Sequence, residues 1–445
     1  MEEYKVIDGE LIIPFGVTSV EVHHSLENRS EIKKVIIPEG VTEIAEYAFF
    51  DCEKLERVVI PTTVKSIGAR AFGACKALTE LVIPSSVNNI GESAFECCEA
   101  LKELILPEAI KEISVGVFTE CLGLTKIVIP EGVEEIADVA FLGCESLENV
   151  FIPSSVVRIG SLAFQGCFSL KEIFIPKSVT DIGEGAFSGY LDKIIIEEGN
   201  AIYDSREGCN AIIESSTNTL LCGGNSSFIP EGVTYIAPKA FVGCGELTEL
   251  VIPSSVKTIG ESAFAGCESL REIVIPSSVV NLGSFVFDYC TALESIEVEG
   301  DNPIYDSREG CNAIVETATN KLIYGCKSTV IPNGITEIGE IAFSNCSDLV
   351  KIEIPSSVNK IGQGAFANCT SLTEVVISEG VTEIEDSAFS DCSALTEIII
   401  PKGVLKIGAC VFSGCTTLTE IQIPSTITKL DAWAFEGCDA LIIQL

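Results

Sequence analysis

A proline recurs every 23 residues in this chain: Pro38, Pro61, Pro84, Pro107, Pro130, Pro153 and Pro176, then Pro230, Pro253 and Pro276, then Pro332 and Pro355, with Ser378 standing in before Pro401 and Pro424. No other feature constrains the fold so strongly. Self-similarity at a short fixed period is the signature of a repeat solenoid, whose units are too small to bury an apolar face alone and must stack. One unit reads L-x-x-I-x-I-P-x-x-V-x-x-I-G-x-x-A-F-x-x-C. A clear copy, LTELVIPSSVKTIGESAFAGC, runs from Leu247 to Cys267. Its first part alternates, which predicts a strand with two inward isoleucines and an outward residue between them. Proline ends that strand because it cannot donate to a further ladder bond. The second part has apolar spacings of three and four. That predicts a short extended piece, then 3-10 or helical turns carrying the chain back along the convex side. Fifteen copies carry the phenylalanine, from Phe49 to Phe435, which predicts a buried aromatic spine.

Composition narrows the function classes. Acidic residues outnumber basic ones 65 to 28, for a net charge of −37. Such a surface repels phosphate backbones and anionic lipid, so nucleic acid and bare membrane are poor partners. No apolar run approaches the roughly 18 residues of a membrane helix. The opening MEEYKVIDGE has no basic stretch followed by an apolar one, so no secretory signal is read there, which leaves a cytoplasmic location open beside export with the signal removed. Of 20 cysteines, 14 share one repeat position, from Cys52 to Cys438. Equivalent positions stack into a column rather than face each other as disulfide partners must, so they read as reduced and buried. The absence of paired C-x-x-C modules argues against zinc. His23 and His24 are the only histidines. With so few, histidine-based triads are excluded, and the pair reads as part of a polar loop.

The period breaks twice in the same way. Residues 200–230 and 302–332 share Y-D-S-R-E-G-C-N-A-I, and each holds two apolar runs joined by a polar turn. Each is predicted to be a long coil whose convex turn is replaced by a β-hairpin. Asp204 with Glu207, and Asp306 with Glu309, lack the alternating ligands of a calcium loop and read as Asx-type turns. One continuous domain follows: a capping coil over 1–37, regular repeats over 38–199, a hairpin-insert coil over 200–230, repeats over 231–301, a second insert coil over 302–332, and repeats over 333–445 to an uncapped final strand. A bare apolar end is a liability for a solenoid, so further chain or a partner is expected to cover it.

The run I-P-x-x-V-x-x-I-G-x-x-A-F-x-x-C at this spacing resembles the BspA-like, or treponemal-type, leucine-rich repeat, and N-P-x-Y-D-S-R-x-x-C-N-A-I resembles a hairpin insert of its bacterial members. The likeness extends from about Ile12 to the end. It implies a right-handed leucine-rich-repeat superhelix with a parallel β-sheet on its concave face. It also implies a surface or secreted protein that adheres to host matrix proteins or to other cells, without catalytic residues or cofactors.

Two residues before each strand-ending proline lies the outward position. Along the chain it holds Ile12, Ile36, Val59, Val82, Ile105, Val128, Phe151, Phe174, Ile195, Phe228, Val251 and Val274 without a break, and then a mixture including Glu297, Glu353 and Gln422. A long exposed apolar stripe marks an interaction surface, or else it expresses β propensity alone. Phe151, Phe174, Ile195 and Phe228 are the candidate partner-binding residues, because aromatic side chains bury much area for little lost rotamer freedom. Beside the stripe runs an acidic column that includes Glu172, able to steer a basic partner or simply to stay solvated. The functional alternatives are a protein-binding adhesion scaffold and a structural spacer displaying another domain.

Overall fold

The computed structural model describes residues 4–21, 29–187, 189–431 and 433–438, and the backbone of 442–444. His23 and His24 lie outside them. The chain forms two compact units, Met1–Ser227 and Phe228–Leu445. In both, each period is one coil of a β-solenoid, and the coils stack through parallel strands in strict register.

The first sheet comes from the predicted strands. Lys34–Ile36 pairs in parallel with Arg57–Val59, residue against residue one period on. In unit 1 the sheet begins with an antiparallel hairpin, Lys5–Ile7 against Glu10–Ile12. It then proceeds in pieces. The strands vary in length from coil to coil. Ile173 and Ile273 lie in strands of four residues, Glu172–Ile175 and Glu272–Ile275. Leu81 lies in a strand of two, and Leu250 in none. A second parallel ladder runs through the V-x-x-I segment, as in Glu43–Ile44, Ser66–Ile67 and Asn89–Ile90. The short extended piece anticipated there therefore pairs from coil to coil into a second set of parallel sheets, in unit 1 from Ser19–Val20 to Asn89–Ile90 and from Glu112–Ile113 to Asp181–Ile182.

The A-F-x-x-C segment forms turns but no regular helix. Its amides alternate. Ala48 and Cys52 donate three residues back, to Ala45 and Phe49, at 3.2 Å each, while Tyr47, Phe49 and Asp51 donate forward to Ala69, Ala71 and Gly73 of the next coil at 2.7–2.9 Å. Left-handed φ angles at Tyr47 (56°) and Asp51 (62°) break what would otherwise become a helix. The same pattern recurs in the following coils and swings alternate N–H groups onto the neighbour. Left-handed backbone is unfavourable for a side-chain-bearing residue. The inter-coil bonds hold it in place, since a buried amide must be paired.

Inside, the phenylalanines form the predicted spine. From Phe49 to Phe187 successive rings stack at 5.1–5.7 Å with interplanar angles of 1–17°. The cysteine column runs beside it, and no disulfide joins the cysteines. These thiols are more than small apolar fillers. Cys75 Sγ donates to the carbonyl of Phe49 at 3.2 Å, Cys98 to Phe72 at 3.3 Å, Cys121 to Phe95 at 3.1 Å, and so on along the stack. Each coil thus reaches back across the interface to cap a carbonyl that would otherwise be half satisfied.

Both inserts contain the predicted hairpin: Ile212–Glu214 against Thr219–Cys222, and Ala313–Glu316 against Lys321–Gly325. They do not stand away from the body. Ile212, Ile213, Ile314 and Val315 are fully buried, and Lys321–Gly325 takes a rung of the second sheet, pairing in parallel with Glu337–Ile338. The shared motif provides the anchoring. Asn200 donates to the carbonyls of Pro176 and Val179 of the coil before it, and Asn302 does the same to Pro276 and Val279. Asp204 accepts the Arg206 amide in an Asx-type turn and clasps its guanidinium by two 2.8 Å bonds, while Arg206 also reaches Asn218. Asp306, Arg308 and Asn320 repeat the clasp.

Burial pushes the thiols of Cys52, Cys144 and Cys167 up, to about 12 at Cys52 and Cys167. A thiol whose folded value lies above its unfolded one contributes stability below the unfolded value, near 9, and loses it as pH rises from there toward 12. Native labelling by a thiol reagent should therefore be slow, and the denaturation midpoint should fall steeply above pH 9. Replacing Cys144 or Cys167 by alanine should flatten that slope by roughly 1.4 kcal/mol per pH unit for each thiol removed. Disulfides between successive column members in a mass spectrum would overturn this account.

Candidate functional site

The outward position between two inward ones must leave the core, and the side chains there do. In unit 1 the column is exposed from Ile36 through Val59, Val82, Ile105 and Val128 to Phe151 and Phe174. The exposed fractions are 66% for Phe151 and 38% for Phe174, against 79% and 73% for Val82 and Ile105. Phe174 lies within strand Glu172–Ile175, in register beside Ile195, which is half-buried. Phe151 lies just past an isolated bridge, Lys126 to Asn149, where no full strand forms. Phe228 is the first residue of unit 2 and is exposed, also outside any regular strand.

The acidic column is partly neutralised. Glu172 is held by Lys193 at 2.9 Å, the residue beside it in the ladder, and Glu374 is likewise held by Lys351 at 2.9 Å. In contrast, Glu397 and Glu420 stand side by side in register with like charge. Exposed pairs of this kind contribute little to stability. They mean that Glu172 is not a free steering charge.

Two hollows on the strand face went unseen in the sequence. One, of 500 Å³, is lined by Val82, Ile105, Pro107, Glu103 and Glu108. The other, in unit 2, has 510 Å³ and is lined by Val330, Glu353, Val376 and Lys351. The first lies where the strand Glu80–Leu81 stops short, so the outward side chains of neighbouring coils are not drawn together by a ladder. The only sequence signal was the leucine at position 81, a weaker strand former than isoleucine. Aromatic content pointed instead to Phe151 and Phe174.

No group of carboxylates, thiols or imidazoles able to hold a metal occurs among the described residues. Asp204 and Asp306, considered above for calcium, spend their oxygens on Arg206 and Arg308. Among the described residues no helix is long and apolar enough to cross a membrane.

A family model described as the BspA type leucine rich repeat region (6 copies) matches residues 22–144, 111–206, 212–307 and 317–442. Among solved structures, a leucine rich cell surface protein of Faecalibacterium prausnitzii A2-165 is 25% identical, with 100% of this chain and 95% of that one covered and a TM-score of 0.39. A leucine-rich repeat protein of Eubacterium ventriosum ATCC 27560 is 23% identical over 97% and 94%, with a TM-score of 0.42. One of Bacteroides ovatus ATCC 8483 is 26% identical over 99% and 92%, with a TM-score of 0.31. No protein of curated function matches the chain.

The outward column and the phenylalanine spine should respond oppositely to mutation. Phe151→Ser and Phe174→Ser should each leave the unfolding free energy within about 0.5 kcal/mol of the parent, because neither side chain packs in the core. Phe164→Ala should cost about 3–5 kcal/mol, because Phe164 is wholly buried between two stacked rings. Guanidinium titrations of the three variants check both expectations.

Proposed function

Because the chain belongs to the BspA-type leucine-rich-repeat family, we propose that it is a non-catalytic protein-binding scaffold of a cell surface, adhering to a host matrix or cell-surface protein through its strand face. The observation that carries this reading is the exposed apolar column of unit 1, which runs from Ile36 to Phe174 without a polar residue. Core packing does not require apolar side chains there, and a contiguous exposed apolar patch of this extent favours burial against another protein. A strand face with long rows of exposed side chains suits a macromolecule better than a small substrate, and the surface carries no convergent catalytic groups among the described residues. The net charge of −37 turns the choice of partner away from nucleic acid and toward neutral or basic protein surfaces.

Within the column Phe151 and Phe174, with Ile195 beside Phe174, form the proposed anchor in unit 1, and Phe228 presents an equivalent side chain at the start of unit 2. Glu172 serves this reading as a rim residue, its charge balanced by Lys193.

Crosslinking and affinity capture from host matrix and cell-surface extracts should identify a protein partner. The Phe151→Ser, Phe174→Ser double variant, folded as the parent, should bind that partner about 30-fold more weakly, on the order of 2 kcal/mol. Binding at parental affinity would move the contact to the Val82–Ile105 hollow. Failure of any partner to bind the folded chain would favour a spacer that displays another domain.

A further inference from the structure

The second insert leaves one interface of the stack unfilled. In regular coils of unit 2, the I-G-x segment of the following coil supplies the same two groups to the one before it. Thus Gly283 N–H donates to the carbonyl of Ile259 at 2.8 Å, and the Ser284 carbonyl accepts the Ser262 amide at 2.9 Å. One coil earlier Gly260 N–H and the Glu261 carbonyl do the same for Ile236 and Lys239, at 2.8 and 2.9 Å. After Asn281–Leu282 the next segment is the insert, and the sheet formed with Tyr235–Ile236 and Thr258–Ile259 stops there. The counterparts of those two groups are the carbonyl of Leu282 and the amide of Phe285. Neither takes part in a hydrogen bond among the described residues.

The insert fills the gap only in part, with two phenols. Tyr305 accepts the Leu282 amide at 3.3 Å. Tyr324 wedges into the turn, accepting from the Val286 amide at 3.2 Å and donating to the Gly283 carbonyl at 2.7 Å. A cavity of 300 Å³ remains, lined by Leu282, Phe285, both tyrosines, Glu316 and Glu340 among others. It lies at the small end of known ligand pockets. Leu282 is left half-buried and Phe285 exposed, whereas Ile259 one coil earlier is fully buried. The lone cation of the lining, Lys321, is held by Glu337 at 2.9 Å, which leaves the rim negative.

We propose that this slot is a peptide-binding site that takes the main chain of an extended Gly-Ser-like dipeptide from a partner protein, in the place a following coil occupies elsewhere. The dipeptide's first N–H meets the Leu282 carbonyl and its second carbonyl meets the Phe285 amide, as Gly283 and Ser284 meet their own predecessors. The first residue is glycine for the reason Gly283 is. A Cβ there would lie 2.4 Å from the Glu261 nitrogen of the preceding coil. Glu316 and Glu340 at the rim favour basic flanking residues. This is strand addition confined to one rung: main-chain bonds provide the affinity, and tight space provides the selection. The slot lies at the edge of the second sheet in unit 2, so it does not depend on the aromatic stripe.

The probe is a synthetic tetrapeptide, acetyl-KGSK-amide, added to the full chain labelled with ¹⁵N-phenylalanine. The Phe285 amide resonance, assigned through Phe285→Leu, should shift saturably. Replacing the peptide's glycine by sarcosine removes the N–H aimed at Leu282 and should weaken binding at least tenfold. Acetyl-EGSE-amide should bind more weakly than the basic peptide, and Glu316→Gln with Glu340→Gln should narrow that difference. Ser284→Trp, which fills the mouth of the slot, should abolish the shift while retaining the parental melting temperature. The Phe151→Ser, Phe174→Ser variant should bind the peptide normally. No shift at Phe285, equal binding of the sarcosine peptide, or undiminished binding by Ser284→Trp would each overturn the proposal.

Discussion

A coil of 23 residues cannot pair its own peptide groups, and the rest of the structure follows from that. In the turns around A-F-x-x-C, half of the amides point along the stack and find an acceptor only in the next coil, as Tyr47, Phe49 and Asp51 do. The left-handed residues that aim them are unfavourable in isolation and stable only in a neighbour's presence. Apolar burial works in the same direction. A phenylalanine ring is covered on its two faces by the rings before and after it, so no coil completes its core alone. Even buried thiols such as Cys98 and Cys121 obey this rule, donating to a carbonyl of the preceding coil.

An insertion in such a stack must therefore do more than fit in a loop. It has to replace the hydrogen bonds and the buried surface of the coil face it interrupts. The two inserts do so with side chains acting for backbone. Asn200 and Asn302 donate to carbonyls of the coil before them, and Tyr203 and Tyr305 accept the amides of Ile182 and Leu282. The Asp–Arg clasps then hold the hairpin flat against the body. Where replacement is incomplete, as at the Leu282 carbonyl and the Phe285 amide, the stack exposes the groups with which it binds itself.

Function and folding are separated by the alternation of the strand. The inward positions are occupied by the core and tolerate little variation in volume, whereas the outward side chains from Ile36 to Phe174 are exposed. An apolar residue there from Ile36 to Phe174 is therefore not dictated by stacking, which gives the exposed column its functional weight. The charges flanking it tell a weaker story, because parallel in-register stacking sets equivalent residues beside each other. Glu172 finds Lys193 and Glu374 finds Lys351, while Glu397 meets Glu420.

Much of this was legible in the sequence, because a repeat turns a three-dimensional problem into a one-dimensional one. The period determined the solenoid, alternation before each proline determined which side chains face out, and the recurrence of Phe and Cys at one position determined two buried columns. The hairpins were visible as paired apolar runs. What the sequence could not express is every quantity that depends on the contact between one coil and the next. The second sheet, the left-handed turns, the thiol-to-carbonyl bonds and the inward lie of the hairpins all arise from partners in a neighbouring coil whose atoms meet only after stacking. The hollow beside Val82 and the unfilled rung at Leu282 belong to the same class. They are spaces between coils, and a space is decided by the tertiary arrangement that fails to fill it.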